Sequence, residues 1–140
     1  MIIADTGFWV ALFDQRDAFH TLAYQRLGEL DEPLLSTLPV VTEVCHLLQR
    51  RVGNEKVLAF IRSHQRGVFQ LFDLGETHFP RIAELMHQYA NLPMDFADAS
   101  LVILADTLGH GRILSTDQRD FGVYRWKNRR PFTNLLIGNA

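Results

Sequence analysis

The chain has 140 residues, 47% of them hydrophobic and 21% charged, with a formal net charge of −2. This is an ordinary globular composition, long enough to bury about two-thirds of the unfolded surface, so disorder is excluded and one domain over 1–140 is expected. The charge balance gives no global attraction to nucleic acid or an anionic membrane, so a nucleic-acid partner would need a local basic patch or metal ions.

Taken in chain order, "MIIAD" is a short apolar run ending in an acid and reads as a buried strand. Asp17 can cap a helix through about Leu30, with Ala18, Leu22, Tyr24 and Leu27 near helical spacing. "PLLST" is a second strand. Pro39 then suits the first turn of a helix carrying Val40, Val44, Leu47 and Leu48 and ending near Gly53. Asn54 to His64 is amphipathic, "VFQLFDL" alternates as a strand, and Thr77 can cap a helix from His78 to Ala90 that tolerates Pro80 in its first turn. "MDFADASLVILAD" makes a helix ending at Gly109, "RILSTD" a strand ending in an acid, and "PFTNLL" a last strand. Strands alternating with helices predict an α/β fold: a central, mostly parallel twisted sheet with helices on both faces. In such sheets ligands bind beyond the carboxyl ends of the strands, where Asp5 and Asp117 fall.

One cysteine, Cys45, cannot form an intramolecular disulfide and reads as a buried small hydrophobe on a helix face. The opening "MIIADTGFWVALF" lacks a basic leader and carries Asp5, and no run approaches the ~20 apolar residues of a membrane span. A cytoplasmic protein is expected.

The informative signal is acidic. Asp95 and Asp98 are three apart and share a helix face. Asp106 lies about 16 Å further along the axis, so it cannot share their ion and is assigned to the solvated half of the helix. Asp98 begins the line Leu101, Val102, Ala105, Leu108 that should pack on the sheet, near the helix end whose dipole favours an anion. Capping is the competing role for both Asp95 and Asp98. Glu43 sits among hydrophobics in "VVTEVCHLL", and Asp117 follows the strand "ILST"; alone, each could be a solvated glutamate or a turn residue. A parallel fold would gather Asp5, Glu43, Asp98 and Asp117 at one sheet edge, where four carboxylates need a counter-charge. Hard oxygen ligands suit Mg²⁺ or Mn²⁺. Zinc is not expected, because the single cysteine and the histidines at 20, 46, 64, 78, 87 and 110 show no ligand spacing.

In order, "IIADTGFWVALF", "STLPVVTEVCHLL", "LPMDFADASLVILAD" and "ILSTDQRDFGVYR" resemble the PIN-domain nucleases, most closely the VapC-type toxin ribonucleases of toxin–antitoxin systems. The likeness spans nearly the whole chain. It implies a Mg²⁺-dependent endoribonuclease, Mn²⁺ substituting, that hydrolyses RNA phosphodiester bonds with a metal-activated water and leaves 5′-phosphate and 3′-hydroxyl ends. The implied catalytic and metal-binding set is Asp5, Glu43, Asp98 and Asp117, with Asp95 a candidate accessory ligand and Thr6 and Thr116 in support; Asp120 occupies a position that looks structural. A cognate antitoxin and a homodimer are the implied protein partners.

"RDFGVYRWKNRRPF" concentrates Arg119, Arg125, Lys127, Arg129 and Arg130 around Tyr124 and Trp126. Its cations could hold RNA phosphates and its aromatic rings could stack on bases; a solvated basic loop is the alternative. Arg50, Arg51 and Arg66 read as helix-end charges. Helices carrying Phe8, Trp9, Phe13, Phe60 and Phe69 are expected to supply core, with a remainder for a dimer face or antitoxin groove. Three other readings compete: a haloacid-dehalogenase-like phosphatase, which would want Asp where Gly7 stands; a non-catalytic PIN-like interaction module; and a PIN ribonuclease of RNA processing with no toxin role.

Overall fold

The computed structural model describes residues 1–138; Asn139 and Ala140 lie outside the described residues. Its strands are β1 (Ile2–Ala4), β2 (Leu34–Ser36), β3 (Phe69–Leu71), β4 (Arg112–Leu114), β5 (Arg125–Trp126), β6 (Arg130–Pro131) and β7 (Thr133–Asn134). Five of them form the central sheet in the order β3-β2-β1-β4-β7, every neighbouring pair parallel. All three residues of β1 and of β2 are buried. Successive side chains point to opposite faces of a strand, so helices must cover both faces. Ile3 pairs with Leu35 on one side and Ile113 on the other, which makes β1 the central strand.

The helices are α1 (Thr6–Phe13), α2 (His20–Glu29), α3 (Leu38–Arg51), α4 (Asn54–Gln65), α5 (Phe79–Gln88), α6 (Phe96–Leu108) and α7 (Gln118–Val123). From β1 the chain builds outward through β2 and β3, then crosses back to β4 on the other flank of β1. The strand order therefore reverses beside β1, the point at which open parallel sheets form a crevice. On one side of the sheet an aromatic cluster fills the core: Trp9 lies 4.8 Å from Phe69 and 5.5 Å from Phe60 between ring centroids, and Phe60 stacks on Phe69. These rings and Phe8 are buried, and Phe69 belongs to β3, inside the stretch "VFQLFDL" expected as a strand. They are core, as expected of most of these aromatics; the exposed large apolar side chains are others, including Leu38 and Phe79.

Local departures have local causes. The helix expected from Asp17 begins at His20, because the Asp17 carboxylate accepts the Phe19 N–H (2.8 Å) and holds a turn instead. Thr77 falls inside a 3₁₀ turn, Glu76–His78, and the Gly75 N–H bonds the His78 ring. "PFTNLL" shrinks to the two residues of β7. Helix α7 and an antiparallel hairpin of β5 with β6 occupy the stretch between the last two expected strands, for which no element was expected. The hairpin turns at Lys127 and Asn128, both left-handed (φ 47° and 62°), with the Arg129 N–H on the Trp126 carbonyl. Cys45 is half-buried rather than enclosed.

Candidate active site

Beyond the carboxyl end of β1, Asp5 is 5% exposed and caps α1. One carboxylate oxygen accepts the Thr6 N–H (2.7 Å) and the other the Ser115 hydroxyl (2.8 Å). The Asp5 N–H bonds the Leu114 carbonyl (3.0 Å), so the strand pairing of β1 with β4 fixes where this acid stands. Burial pushes the carboxyl up to about 7; the Ser115 and Thr6 hydrogen bonds oppose the shift, and the charges of Asp117 and Glu43 add to it.

Ser115 serves two acids at once. Its oxygen also accepts the Asp117 N–H (2.9 Å), and Asp117 caps α7 by accepting the Asp120 N–H (2.9 Å). Burial raises Asp117 above the usual carboxylate range, against the Asp120 N–H bond. Asn134 braces Ser115 from β7, its amide donating to the Ser115 carbonyl (3.0 Å). Thr116 packs onto the backbone of Gly7: a Cβ there would lie 2.0 Å from Thr116 Oγ1, so a hydrogen is the only side chain that leaves the hydroxyl in place.

Helices α3 and α6 bring the remaining acids. The Thr37 hydroxyl at the start of α3 does not cap that helix; it meets Ser100 Oγ of α6 at 2.7 Å, a buried bond that sets the two helices side by side. Asp95 caps α6, one oxygen accepting the Asp98 N–H (2.8 Å). Asp98 caps nothing; its Oδ2 accepts the phenol of Tyr124 (2.9 Å). Burial, then the charges of Asp5 and Asp95, push Asp98 up to about 8, with the Tyr124 bond opposing. Glu43 is raised by burial and by the neighbouring Asp95, and favoured in its charged form by the approach of the Thr6 hydroxyl.

The charges of Asp5, Glu43, Asp95, Asp98 and Asp117 thus act on one another, the five acids being drawn from four places in the chain. Among the described residues no three His, Cys, Asp or Glu side chains enclose an ion by themselves. The donors nevertheless fit a small hard cation. All are oxygens, Thr6 Oγ1 is buried with no hydrogen bond of ordinary geometry, and Mg²⁺ takes only one or two carboxylates directly while keeping water. Beside Glu43 and Asp95 opens a cleft of about 700 Å³, walled by Leu38, His46, Leu74 and Phe96 among others.

The sequence profile of the PIN domain matches residues 2–127. The chain belongs to the PIN domain family. It is 29% identical over 124 residues to Ribonuclease VapC26 of Mycobacterium tuberculosis (strain ATCC 25618 / H37Rv), covering 89% of this chain and 92% of that protein. Its fold is similar to the crystal structure of Mycobacterium tuberculosis VapC20, titled a Sarcin-Ricin loop cleaving toxin, with a TM-score of 0.82 over 94% of this chain and 100% of that one. At 23% identity the second likeness concerns the fold.

Against this PIN framework three readings of the sequence change. Asp106 is not simply solvated: it accepts the Lys127 N–H of the hairpin and the Arg81 guanidinium (3.3 Å). Tyr124 is 0% exposed and Trp126 9%, so neither presents a face for a base to stack on. The indole N–H donates to the Pro131 carbonyl (3.0 Å), while Lys127 and Arg130 sit 5.9 and 5.8 Å from the ring centre. Arg125 is turned inward, its guanidinium donating to the Gly122, Val123 and Tyr124 carbonyls at the end of α7. Lys127, Arg129 and Arg130 are exposed. Ser115, Tyr124 and Asn134 were missed as positioning groups. "STD" gave a hint for Ser115, since a hydroxyl two residues before an acid can bond its N–H; nothing in the sequence pointed from Tyr124 to Asp98.

Proposed function

We propose that this PIN protein is a Mg²⁺-dependent endoribonuclease, with Mn²⁺ able to substitute, and the toxin of a type II toxin–antitoxin pair. The observation that supports the reading is that one hydroxyl, of Ser115, bonds both the Asp5 carboxylate and the Asp117 N–H past the carboxyl ends of β1 and β4, while the charge of Glu43 on α3 acts on Asp5 and that of Asp5 acts on Asp98 of α6. Family membership and the similarity to a protein named a ribonuclease support a nuclease; the VapC names support the toxin role.

Asp5, Asp98, Asp117 and Glu43 would hold the ion, with Asp95 accessory and Thr6 and Thr116 supporting. When bound, the cation would polarise the scissile phosphate and lower the pKa of water. The chain's own part is orientation. Ser115 and Tyr124 fix the Asp5 and Asp98 carboxylates before substrate arrives, so little reorganisation is required at the reacting phosphate. Lys127, Arg129 and Arg130 on the hairpin would take RNA phosphates flanking the cleaved bond; Arg125, already bonded, would stay with α7. Leu38 and Phe79, 58% and 57% exposed, offer apolar surface for a second copy in a homodimer and for a cognate antitoxin. Among the described residues no helix is long and apolar enough to cross a membrane, in keeping with action on cytoplasmic RNA.

The test is cleavage of a labelled single-stranded RNA by protein freed of any inhibitor. Cleavage is expected with Mg²⁺ or Mn²⁺, none in excess chelator, and none from folded Asp98→Asn. Expression of the wild type, but not of Asp98→Asn, should arrest growth of a host lacking an antitoxin. Full activity in chelator refutes the metal mechanism; active RNA cleavage with no growth arrest refutes the toxin role alone.

A further inference from the structure

The Tyr124 phenol is the feature the nuclease reading does not require. It reaches Asp98 from outside α6, across 26 positions of sequence, and no part of it is exposed. The ring is fixed edge-to-face against Tyr89 and Phe121, centroids 5.1 Å away in each case. Its backbone is fixed too: the Tyr124 N–H bonds the Asp120 carbonyl (2.9 Å), and the next N–H, of Arg125, bonds the Tyr89 hydroxyl (3.1 Å). A ring so held cannot follow a carboxylate that swings; it dictates where the carboxylate stands.

The consequence concerns the two oxygens of Asp98 separately. Oδ2 accepts the phenol at 2.9 Å, whereas Oδ1 receives no hydrogen bond among the described residues. The donor is neutral, so it orients the carboxylate without cancelling its charge, as an ammonium or guanidinium there would. Resting on the metal-dependent reading above, we propose that Tyr124 is a positioning residue for the cation: it occupies Asp98 Oδ2 and leaves Oδ1 as the oxygen presented to a divalent ion. A group that orients a ligand in this way commonly governs affinity by tenfold or more.

Tyr124→Phe keeps the ring and its aromatic contacts and deletes only the donor. Mn²⁺ binding to the metal-free full chain, followed by calorimetry, should weaken about tenfold. RNA affinity in chelator should stay within about twofold of wild type, and the Mg²⁺ concentration for half-maximal cleavage should rise in step with the Mn²⁺ Kd while KM for RNA holds. In an Asp98→Asn background, adding Tyr124→Phe should change Mn²⁺ binding no further. Wild-type Mn²⁺ affinity in Tyr124→Phe overturns the proposal, as does an equal loss with and without Asp98. So does a Tyr124→Phe chain that fails to fold, since the hydroxyl would then serve the fold. If the wild type binds no Mn²⁺ and cleaves RNA in chelator, the metal reading falls and this role with it; if only Tyr124→Phe is indistinguishable from wild type, the phenol's role alone is lost.

Discussion

Replacing Asp5 by asparagine should abolish cleavage and stabilise the metal-free protein above neutral pH. The amide oxygen introduced by Asp5→Asn can still accept the Thr6 N–H. Its NH₂ group can donate to Ser115, whose oxygen has a second lone pair, so both bonds of the buried carboxylate have successors. What disappears is the charge. Burial lifts the Asp5 carboxyl from 3.8 to about 7, so between these values the folded chain keeps a proton that the unfolded chain has released. Stability therefore falls as pH rises through that window, and the loss is complete above pH 7. At about 1.4 kcal/mol for each tenfold change in the proton equilibrium, the full cost is on the order of 4 kcal/mol. Roughly 1.5 kcal/mol of it is already present near pH 5, which leaves on the order of 2.5 kcal/mol to be lost between pH 5 and pH 8. Urea unfolding in chelator at the two pH values measures this directly: the wild-type midpoint should drop by about 1–2 M more than that of Asp5→Asn, at unchanged slope. Saturating Mg²⁺ at the higher pH should restore the wild type and leave the variant unmoved. Parallel losses in the two proteins would refute the reasoning, because other titrating groups would then carry the whole pH dependence.

Gly7→Ala should force Thr116 out of its position, since the added Cβ would lie 2.0 Å from Thr116 Oγ1 and 3.2 Å from its Cβ. The expected cost is about 1–3 kcal/mol in chemical denaturation, with cleavage reduced more than RNA binding. Asp106→Ala should release the hairpin by leaving the Lys127 N–H and the Arg81 guanidinium without their shared acceptor. A loss of about 1–3 kcal/mol is expected, with faster amide exchange confined to residues 125 to 131. Replacing Lys127, Arg129 and Arg130 together with alanine should weaken RNA binding and flatten the plot of log Kd against log salt by about 0.7 per lost phosphate contact. An unchanged slope would place the RNA elsewhere.

The fold was legible because its signals are local. Short apolar runs followed by acids or hydroxyls mark β1, β2 and β4, and helical spacing marks α3, α4 and α6. The acidic group followed from the rule that parallel strands deliver their carboxyl ends to one edge. Two things did not follow. The hairpin and α7 are too short to show periodicity, and Lys127 adopts a left-handed turn conformation that its residue type does not favour. The fixing of carboxylates by Ser115 and Tyr124 depends on pairings across 110 and 26 residues, which no spacing in the chain encodes. Capping and chemistry also look like rival roles for Asp95 when only the sequence is read. A carboxylate has two oxygens, and Asp95 uses one on the Asp98 N–H while its side chain lies beside Glu43.

An acid-lined site poses an electrostatic problem for an RNA strand, which is itself a polyanion, and the net charge of −2 does not help. Helix α6 supplies a structural answer. Asp98 stands in its first turn and Asp106 in its last, about 12 Å along the axis. Through Tyr124 the first is tied to the residue that opens the hairpin, and through the Lys127 N–H the second is tied to its turn. The cationic hairpin and the acid nearest it are thereby pinned to one rigid rod at two points. The hairpin's cations and the acidic group are then set at a fixed separation. Loosening either tie, by Tyr124→Phe or Asp106→Ala, should leave the hairpin's cations in place and still slow the reaction, because a phosphate held by the hairpin would no longer be delivered to a defined place.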